Sequence, residues 1–385
     1  MRRSRRPSRK EMSCPRCGEA AREGWAFCPD CGAPAGECDL CREYARKGYG
    51  YCGKCGRPLA QRPERRGDSH ALSKAVFVAA PAIIALLIIE GLSLYWWAGD
   101  VFSWIPGHEL KMYLLLPQMV SIGTLGNGAL QAYWIFLIAA ITASGIVLAY
   151  QSRTIVTERN GPDLVGKVER TPLFWLSLMF SAYLALVIIV AAIQGAIGYV
   201  ITAPDGLPLG TEPEAFLSYA NAAVWEEIAS RLVPIGIPMV VVAGLSGRKD
   251  FLRYLLGGFG ITKVGIVLII LSATIFGLAH LDSWGWAKVI PMIIGGLMMS
   301  YLYVRFGIHV SIIFHFITDF SGIALAVVGE QIFSFIFILI VVIGFISVAA
   351  LAKYLKDGIP KIGNMPTWVA EDEDQTDDSS RSNLG

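Results

Sequence analysis

The chain has 385 residues, of which 54% are hydrophobic and only 17% are charged. Soluble domains carry about 25% charged residues, so this composition excludes a soluble protein of this size. The formal net charge of +2 hides an asymmetry, because arginine and lysine crowd the first 66 residues whereas 371–378 are almost entirely acidic. Neither end is apolar, and we therefore expect the membrane segments between them.

The eight cysteines form a repeat close to the N-terminus. They are arranged as four C-x-x-C pairs, and the last two pairs repeat the spacing of the first two after 24 residues. Two such pairs supply the four thiolates of a closed structural zinc site, so we predict two zinc ions, with disulfides as the alternative. The predicted ligands are Cys14, Cys17, Cys28 and Cys31 for one ion, and Cys38, Cys41, Cys52 and Cys55 for the other.

This cysteine pattern resembles the double zinc ribbon found at the ends of many archaeal and bacterial proteins, over residues 14–58. The resemblance implies a module that binds a partner protein rather than one that carries chemistry. The basic residues within 2–10 precede it, but a basic segment near a first membrane span is explained by anionic lipid. Nucleic acid is therefore not expected as a partner.

Eight apolar segments are long enough to cross about 30 Å of hydrocarbon as helices. They lie at 75–97, 128–150, 172–195, 218–245, 263–281, 286–304, 308–328 and 332–353. The predicted fold class is an all-α polytopic membrane protein with about eight transmembrane helices, preceded by a small double zinc-ribbon domain. A further stretch, Leu110–Ile122, is too short to span and is expected to be re-entrant or interfacial.

The loops after the second, fourth and last spans are the most basic. The excess of lysine and arginine on the cytoplasmic side therefore predicts that both termini are cytoplasmic, in the plasma membrane of a prokaryote. The predicted organisation is a basic disordered N-terminus (1–13), the double ribbon (14–58), a linker (59–74), a transmembrane domain (75–354) and an acidic disordered tail (355–385).

Three of the apolar segments contribute to one cluster of ionisable groups, which are costly at membrane depth and mark a functional site by default. Helical spacing brings Glu227 next to Arg231 and His315 next to Asp319, while Glu226 is turned toward the other helices. The full set is Glu226, Glu227 and Arg231 in the fourth segment, Phe276 and His280 in the fifth, and His315 and Asp319 in the seventh.

These motifs, E-E-x-x-x-R, F-x-x-x-H and H-x-x-x-N/D on separate helices, resemble those of the CPBP family of intramembrane proteases, which includes the CAAX prenyl endopeptidases and Abi-like proteins. The likeness covers about residues 170–330. It implies that the chain hydrolyses a peptide bond of a membrane-associated protein or peptide. Glu226 would activate a water molecule, and His280 would contact the same water. His315 and Asp319, one turn away, would supply donors for the oxyanion.

Two roles stay open within this resemblance. The family often has asparagine at the last motif position, so Asp319 is expected either to be protonated or to orient His315. Phe276 is expected to form a wall of the substrate pocket. Glu226, His280 and His315 would also make a catalytic zinc site, but a metal-free mechanism is favoured because no H-E-x-x-H helix is present.

Alternatives without catalysis also fit the motifs. Glu227 and Arg231 could simply lock the bundle as a buried ion pair, and the whole chain could be a non-proteolytic membrane scaffold or immunity-type binding protein of the same fold. A secondary transporter is disfavoured because the sequence shows no repeated halves. Outside the motifs, Glu90 is expected to reach the membrane surface or a neighbouring helix, and His309 is expected to cap or pack.

Overall fold

The computed structural model describes residues 76–116, 118–157, 164–199, 212–248 and 250–367. These residues all belong to the second of two units into which the chain divides, His70–Gly385. The predicted zinc ribbon with its eight cysteines, the linker and most of the acidic tail lie outside the described residues.

The described part contains eight helices that are long and apolar enough to cross a membrane, and each of them overlaps a predicted span. The structure thus confirms the prediction of a polytopic membrane protein built mainly from helices. The helices are α1 (Ala79–Trp96), α2 (Asn127–Ser152), α3 (Pro172–Ala196), α4 (Pro213–Leu245), α5 (Lys263–Leu278), α6 (Trp286–Phe306), α7 (Ile308–Val328) and α8 (Glu330–Gly358).

Shorter elements lie between and after these spans. The short helix Leu281–Trp284 extends α5. The 3-10 turn Ile359–Asn364 follows α8, where the sequence predicts a disordered tail from residue 355 onward. The structure instead continues as helix beyond that point, so the helical domain ends about ten residues later than predicted. The short helices are Ala98–Trp104, Thr154–Thr157, Leu164–Val168 and Leu281–Trp284, with 3-10 turns at Phe251–Leu256 and Ile359–Asn364.

A β-hairpin occupies the stretch that was expected to be re-entrant or interfacial. Strand β1 (Glu109–Leu116) pairs antiparallel with β2 (Gln118–Gly126). The indole of Trp225 in α4 donates a hydrogen bond of 2.7 Å to the carbonyl of Tyr113 in β1. The hairpin is therefore tied to the helix that carries the two predicted site glutamates, and the all-α description needs this one correction.

Helix α7 is at the centre of the bundle. It contacts α1, α2, α3, α4, α6 and α8, and 61% of its span is buried, the largest share among the eight spans. A polar side chain on α7 therefore faces protein rather than lipid on nearly every side. This position explains why a histidine and an aspartate can be carried on a helix at membrane depth.

Helices α3 and α8 approach each other closely around Gly344. A Cβ atom at Gly344 would lie 2.2 Å from the carbonyl oxygen of Ser181. One helical turn away, the hydroxyls of Ser181 and Ser347 share a buried hydrogen bond of 2.8 Å. Small residues and interhelical hydrogen bonds are the usual means by which membrane helices associate, since lipid is as apolar as leucine.

We expect Gly344→Ala to destabilise the protein, because the added methyl group must push α3 and α8 apart. The cost is about 1–3 kcal/mol of unfolding free energy, as for other overpacked sites. The control is Gly91→Ala in α1, where a Cβ atom meets nothing within 4 Å. Denaturant unfolding in detergent measures both variants, and equal stability of the two would contradict the close packing.

Candidate active site

Helix α4 departs from α-helical geometry where it carries the site residues. It is π-helical over Ala222–Glu226 and Ile228–Gly236, so its hydrogen bonds run from residue i to residue i+5. Pro234 lies inside this region and has no N–H to donate. Four residues earlier, the carbonyl of Ser230 accepts a hydrogen bond from the Ser272 hydroxyl of α5. Helix α5 therefore supports the backbone of α4 beside the two glutamates.

Glu227 is the buried centre of a polar cluster that joins α4 to α7. Its side chain is 0% exposed, and its Oε1 accepts a hydrogen bond of 2.8 Å from Nδ1 of His315. Its Oε2 lies 3.3 Å from Nε of Arg231, which is also 0% exposed. The predicted Glu227–Arg231 contact is thus present, and Glu227 additionally fixes the ring of His315, a contact that the sequence did not indicate.

His315 lies among three carboxylates. While Nδ1 is bound to Glu227, its Nε2 lies 3.4 Å from Oδ2 of Asp319 and 3.9 Å from Oε2 of Glu226. Asp319 follows His315 by one turn of α7, as the spacing predicts. The side chains of Glu226 and Asp319 are 24% and 26% exposed, whereas Glu227 is fully enclosed. The two adjacent glutamates therefore occupy different environments.

Phe276 holds the rings of the site together. Its ring meets that of His280 edge to face at 4.9 Å, and that of His315 at 6.0 Å. The Arg231 guanidinium carbon lies 4.5 Å from the Phe276 centroid. Phe276 is predicted as a pocket wall, and the structure adds that it packs against both histidines and the buried arginine.

The tautomer of His280 follows from its backbone contact. Its Nδ1 lies 2.8 Å from the carbonyl oxygen of Phe276. Because a carbonyl oxygen only accepts, Nδ1 must carry the proton and donate it. In the neutral ring, Nε2 then keeps its lone pair available for a water molecule or substrate.

A cavity of about 420 Å³ connects these residues. Four of the predicted site residues line it, namely Glu226, His280, His315 and Asp319, together with the predicted wall residue Phe276. Glu227 and Arg231 are not among the lining residues and lie behind His315. The lining residues outside the predicted site include Tyr183, Ser218, Tyr219, Trp284, Lys288, Met292 and Met299.

A catalytic zinc ion would need Glu226, His280 and His315 to converge on one point. No group of three or more histidine, cysteine, aspartate or glutamate side chains is arranged to hold a metal ion within the described ranges. Glu226, His280 and His315 share a cavity, but they do not converge as a ligand set. The mechanism proposed below therefore uses the side chains alone.

Part of the chain is similar to one family of known proteins. Residues 209–321 match the family model of the type II CAAX prenyl endopeptidase Rce1-like proteins. Over this region the chain is similar to CAAX-type intramembrane proteases. The matched region spans α4 to α7 and contains all seven motif residues, although it covers less than a third of the chain. No curated protein and no solved structure matches the chain.

One acid outside the region of similarity to CAAX-type proteases differs from its expected position. Glu90 of α1 does not reach the membrane surface, since it is 0% exposed. Neither of its carboxyl oxygens has a hydrogen-bond partner within the described part of the chain. Asp319 of the site is close enough to Glu90 to interact with it electrostatically. Of the two expected positions, the membrane surface is therefore wrong, and burial agrees with the alternative of contact with neighbouring helices. The carboxyl group thus lies buried in the bundle without a hydrogen-bond partner among the described residues.

Replacing Glu90 with methionine should stabilise the protein. The substitution keeps the length of the side chain and removes a buried polar group that lacks a partner, which is worth about 1–3 kcal/mol. The matched control is Glu109→Met, at an exposed position where surface substitutions change stability by less than about 0.5 kcal/mol. Denaturant unfolding in detergent checks this, and a loss of stability in Glu90→Met would show that the carboxyl group has a stabilising partner.

Proposed function

We propose that the chain is an intramembrane endopeptidase that hydrolyses a peptide bond of a membrane-associated protein or peptide. The observation that carries the proposal is the cavity in which Glu226, His280, His315 and Asp319 meet, within the region similar to CAAX-type proteases. Similarity of fold alone does not establish an activity, so the chemistry is argued from these side chains.

Glu226 is suited to be the general base. Its carboxylate opens into the cavity, while the neighbouring Glu227 is engaged by Arg231 and His315. A water molecule beside Glu226 would give up a proton to it as the water oxygen attacks the scissile carbonyl carbon. The same proton can then pass to the amide nitrogen as the C–N bond breaks, which leaves a new carboxyl group and a new amino group.

The histidines have separate roles in this scheme. Nε2 of His280 keeps a free lone pair and can orient the attacking water. Nε2 of His315 points between Glu226 and Asp319, and as an imidazolium it would donate to the oxyanion of the tetrahedral intermediate. In this scheme Asp319, whose Oδ2 lies 3.4 Å from Nε2 of His315, orients that ring and does not act as a donor itself.

The buried pair behind the cavity keeps this arrangement fixed. Glu227 holds Nδ1 of His315, so the ring cannot rotate without breaking a hydrogen bond in an apolar surround. Arg231 balances the charge of Glu227, and the ring of Phe276 packs against the guanidinium of Arg231. Positioning of this kind is worth orders of magnitude in rate, because reacting groups must already be aligned when the substrate binds.

Replacement of Glu226 by glutamine should abolish cleavage and leave the fold intact. Loss of a general base costs about 100-fold to 10,000-fold in rate. The measurement is a comparison of peptide termini in membranes that contain either the wild type or Glu226→Gln, with Glu330→Gln as the control at an exposed acid remote from the cavity. Termini present with the wild type and the control but missing in Glu226→Gln are expected. Identical termini in all three would favour a non-proteolytic scaffold of the same fold.

We further propose that residues 14–58 bind two structural zinc ions and recruit a protein partner or substrate at a cytoplasmic N-terminus. The support is the spacing of the four C-x-x-C pairs, which suits two closed tetrathiolate sites. A domain of this size has too small an apolar core to fold without bound metal ions or another cross-link.

Metal analysis of the purified full-length chain should find two zinc ions per molecule. Cys14→Ser and Cys38→Ser each remove one ligand from a different predicted site, so each should lower the zinc content by about one ion. Serine substitution at an exposed residue outside the repeat, such as Thr157, is the control. Zinc-free protein with cysteine disulfides would contradict the proposal, and a third ion that survives both substitutions would support a metal site elsewhere.

A further inference from the structure

Lys288 is the fixed positive charge of the cavity. It lies in the first turn of α6 and is half-buried, and it is the one lysine or arginine among the residues described as lining the cavity. The motifs do not include it. A lysine at this depth is costly unless it has a partner or a function, which makes its surroundings informative.

The ammonium group of Lys288 has no anionic partner in place. Its Nζ lies 4.0 Å from the centre of the Trp284 ring. In the part of the chain that the structure describes, no hydrogen bond and no ion pair within 4.0 Å holds it, although Glu226 and Asp319 are near enough to interact with it electrostatically. The ring of Trp284 positions the charge by a cation–π contact without neutralising it.

The position of Lys288 along the cavity differs from that of Glu226. One stripe of α6 faces the cavity, from Lys288 through Met292 to Met299, which is about 16 Å along a helix. Helices α4 and α6 cross the membrane in the same direction, because a single crossing, α5, lies between them. Lys288 therefore lies toward the end of the cavity marked by Ser218, and Glu226 lies roughly 10 Å deeper along α4.

Charge in the cavity would otherwise reject an anionic substrate. Glu226 and Asp319 are both acidic and both line the cavity, so a negative group of the substrate would be repelled at close range. Lys288 provides one place in the cavity where a carboxylate is favoured. The apolar stripe between them, including Met292, suits the uncharged residues of the same peptide.

We propose that Lys288 is a specificity-determining residue that binds a carboxylate of the substrate peptide while the scissile bond lies at Glu226. The inference rests on the proposed protease function and deepens it by assigning the substrate class, an anionic peptide. The carboxylate belongs either to the end of the peptide chain or to an aspartate or glutamate side chain, and both present the same group to the ammonium.

The test uses the purified full-length chain in detergent and internally quenched decapeptide libraries with randomised interior positions. The first library ends in a free carboxylate and contains no acidic residue, the second is identical but ends in an amide, and the third ends in an amide and contains one glutamate. The enzymes are the wild type, Lys288→Met, Lys288→Arg and the exposed control Lys356→Met. Glu226→Gln supplies the background rate.

The wild type and Lys356→Met should cleave the first or the third library about tenfold to a hundredfold faster than the second, which is the worth of one charge-assisted hydrogen bond. The preferred library identifies the source of the carboxylate. In Lys288→Met the ratio of these rates should fall to about one through a higher KM for the anionic peptides, and Lys288→Arg should restore part of it.

Two results would overturn the inference, and a third would remove the proposed function on which it rests. A wild type that cleaves all three libraries equally overturns it, even if Lys288→Met fails to fold. An unchanged ratio in Lys288→Met overturns it as well, because a lysine that only balances Glu226 and Asp319 would affect every substrate alike. Absence of cleavage above the Glu226→Gln background in every library removes the proposed protease function itself, and that outcome differs from a loss of preference.

Discussion

The buried carboxylate of Glu227 is the interaction on which the site depends. It is fully enclosed, it lies 3.3 Å from the Arg231 guanidinium, and it accepts a hydrogen bond of 2.8 Å from His315 on another helix. A charge without a partner at this depth would cost several kcal/mol, so the three groups must be present together. The cluster therefore fixes α4 against α7 at one point and sets the orientation of the histidine that faces the cavity.

The adjacent residues Glu226 and Glu227 lie in different environments and have different roles. Glu227 faces inward, and its two oxygens are engaged by Arg231 and His315, whereas Glu226 is 24% exposed and opens into the cavity. The two glutamates lie at the junction of the two π-helical segments of α4, and Phe276 packs against Arg231, the partner of Glu227. Similar arrangements, in which one carboxylate is structural and its neighbour reactive, let a single helix supply both the support and the chemistry.

The large features of this fold can be predicted from sequence because lipid imposes a simple length rule. A run of about 20 apolar residues must be a helix, and all eight predicted spans are found as helices. The motif residues could be grouped because ionisable side chains in such helices are rare. The Glu227–Arg231 pair follows from helical spacing alone, even though α4 is π-helical there.

Other features depend on contacts between helices, which spacing along one segment does not encode. The hydrogen bond from His315 to Glu227 joins residues 88 apart in sequence. The hairpin at residues 109–126 reads as a short apolar stretch until its pairing is seen. Burial of Glu90 depends on which side of α1 meets the bundle. Lys288 carried a usable signal, a lone cation inside an apolar span, but its role depends on the cavity that it lines.

The most direct test of the division between the two glutamates is the unfolding free energy of Glu226→Gln and Glu227→Gln, measured in the same detergent. Glu227→Gln leaves Arg231 as an unpaired buried charge, so its unfolding free energy should be about 3–5 kcal/mol lower than that of the wild type. Glu226→Gln should stay within about 0.5 kcal/mol of the wild type, because its side chain is partly exposed in the cavity. Equal losses in the two variants, or a larger loss for Glu226→Gln, would contradict the account.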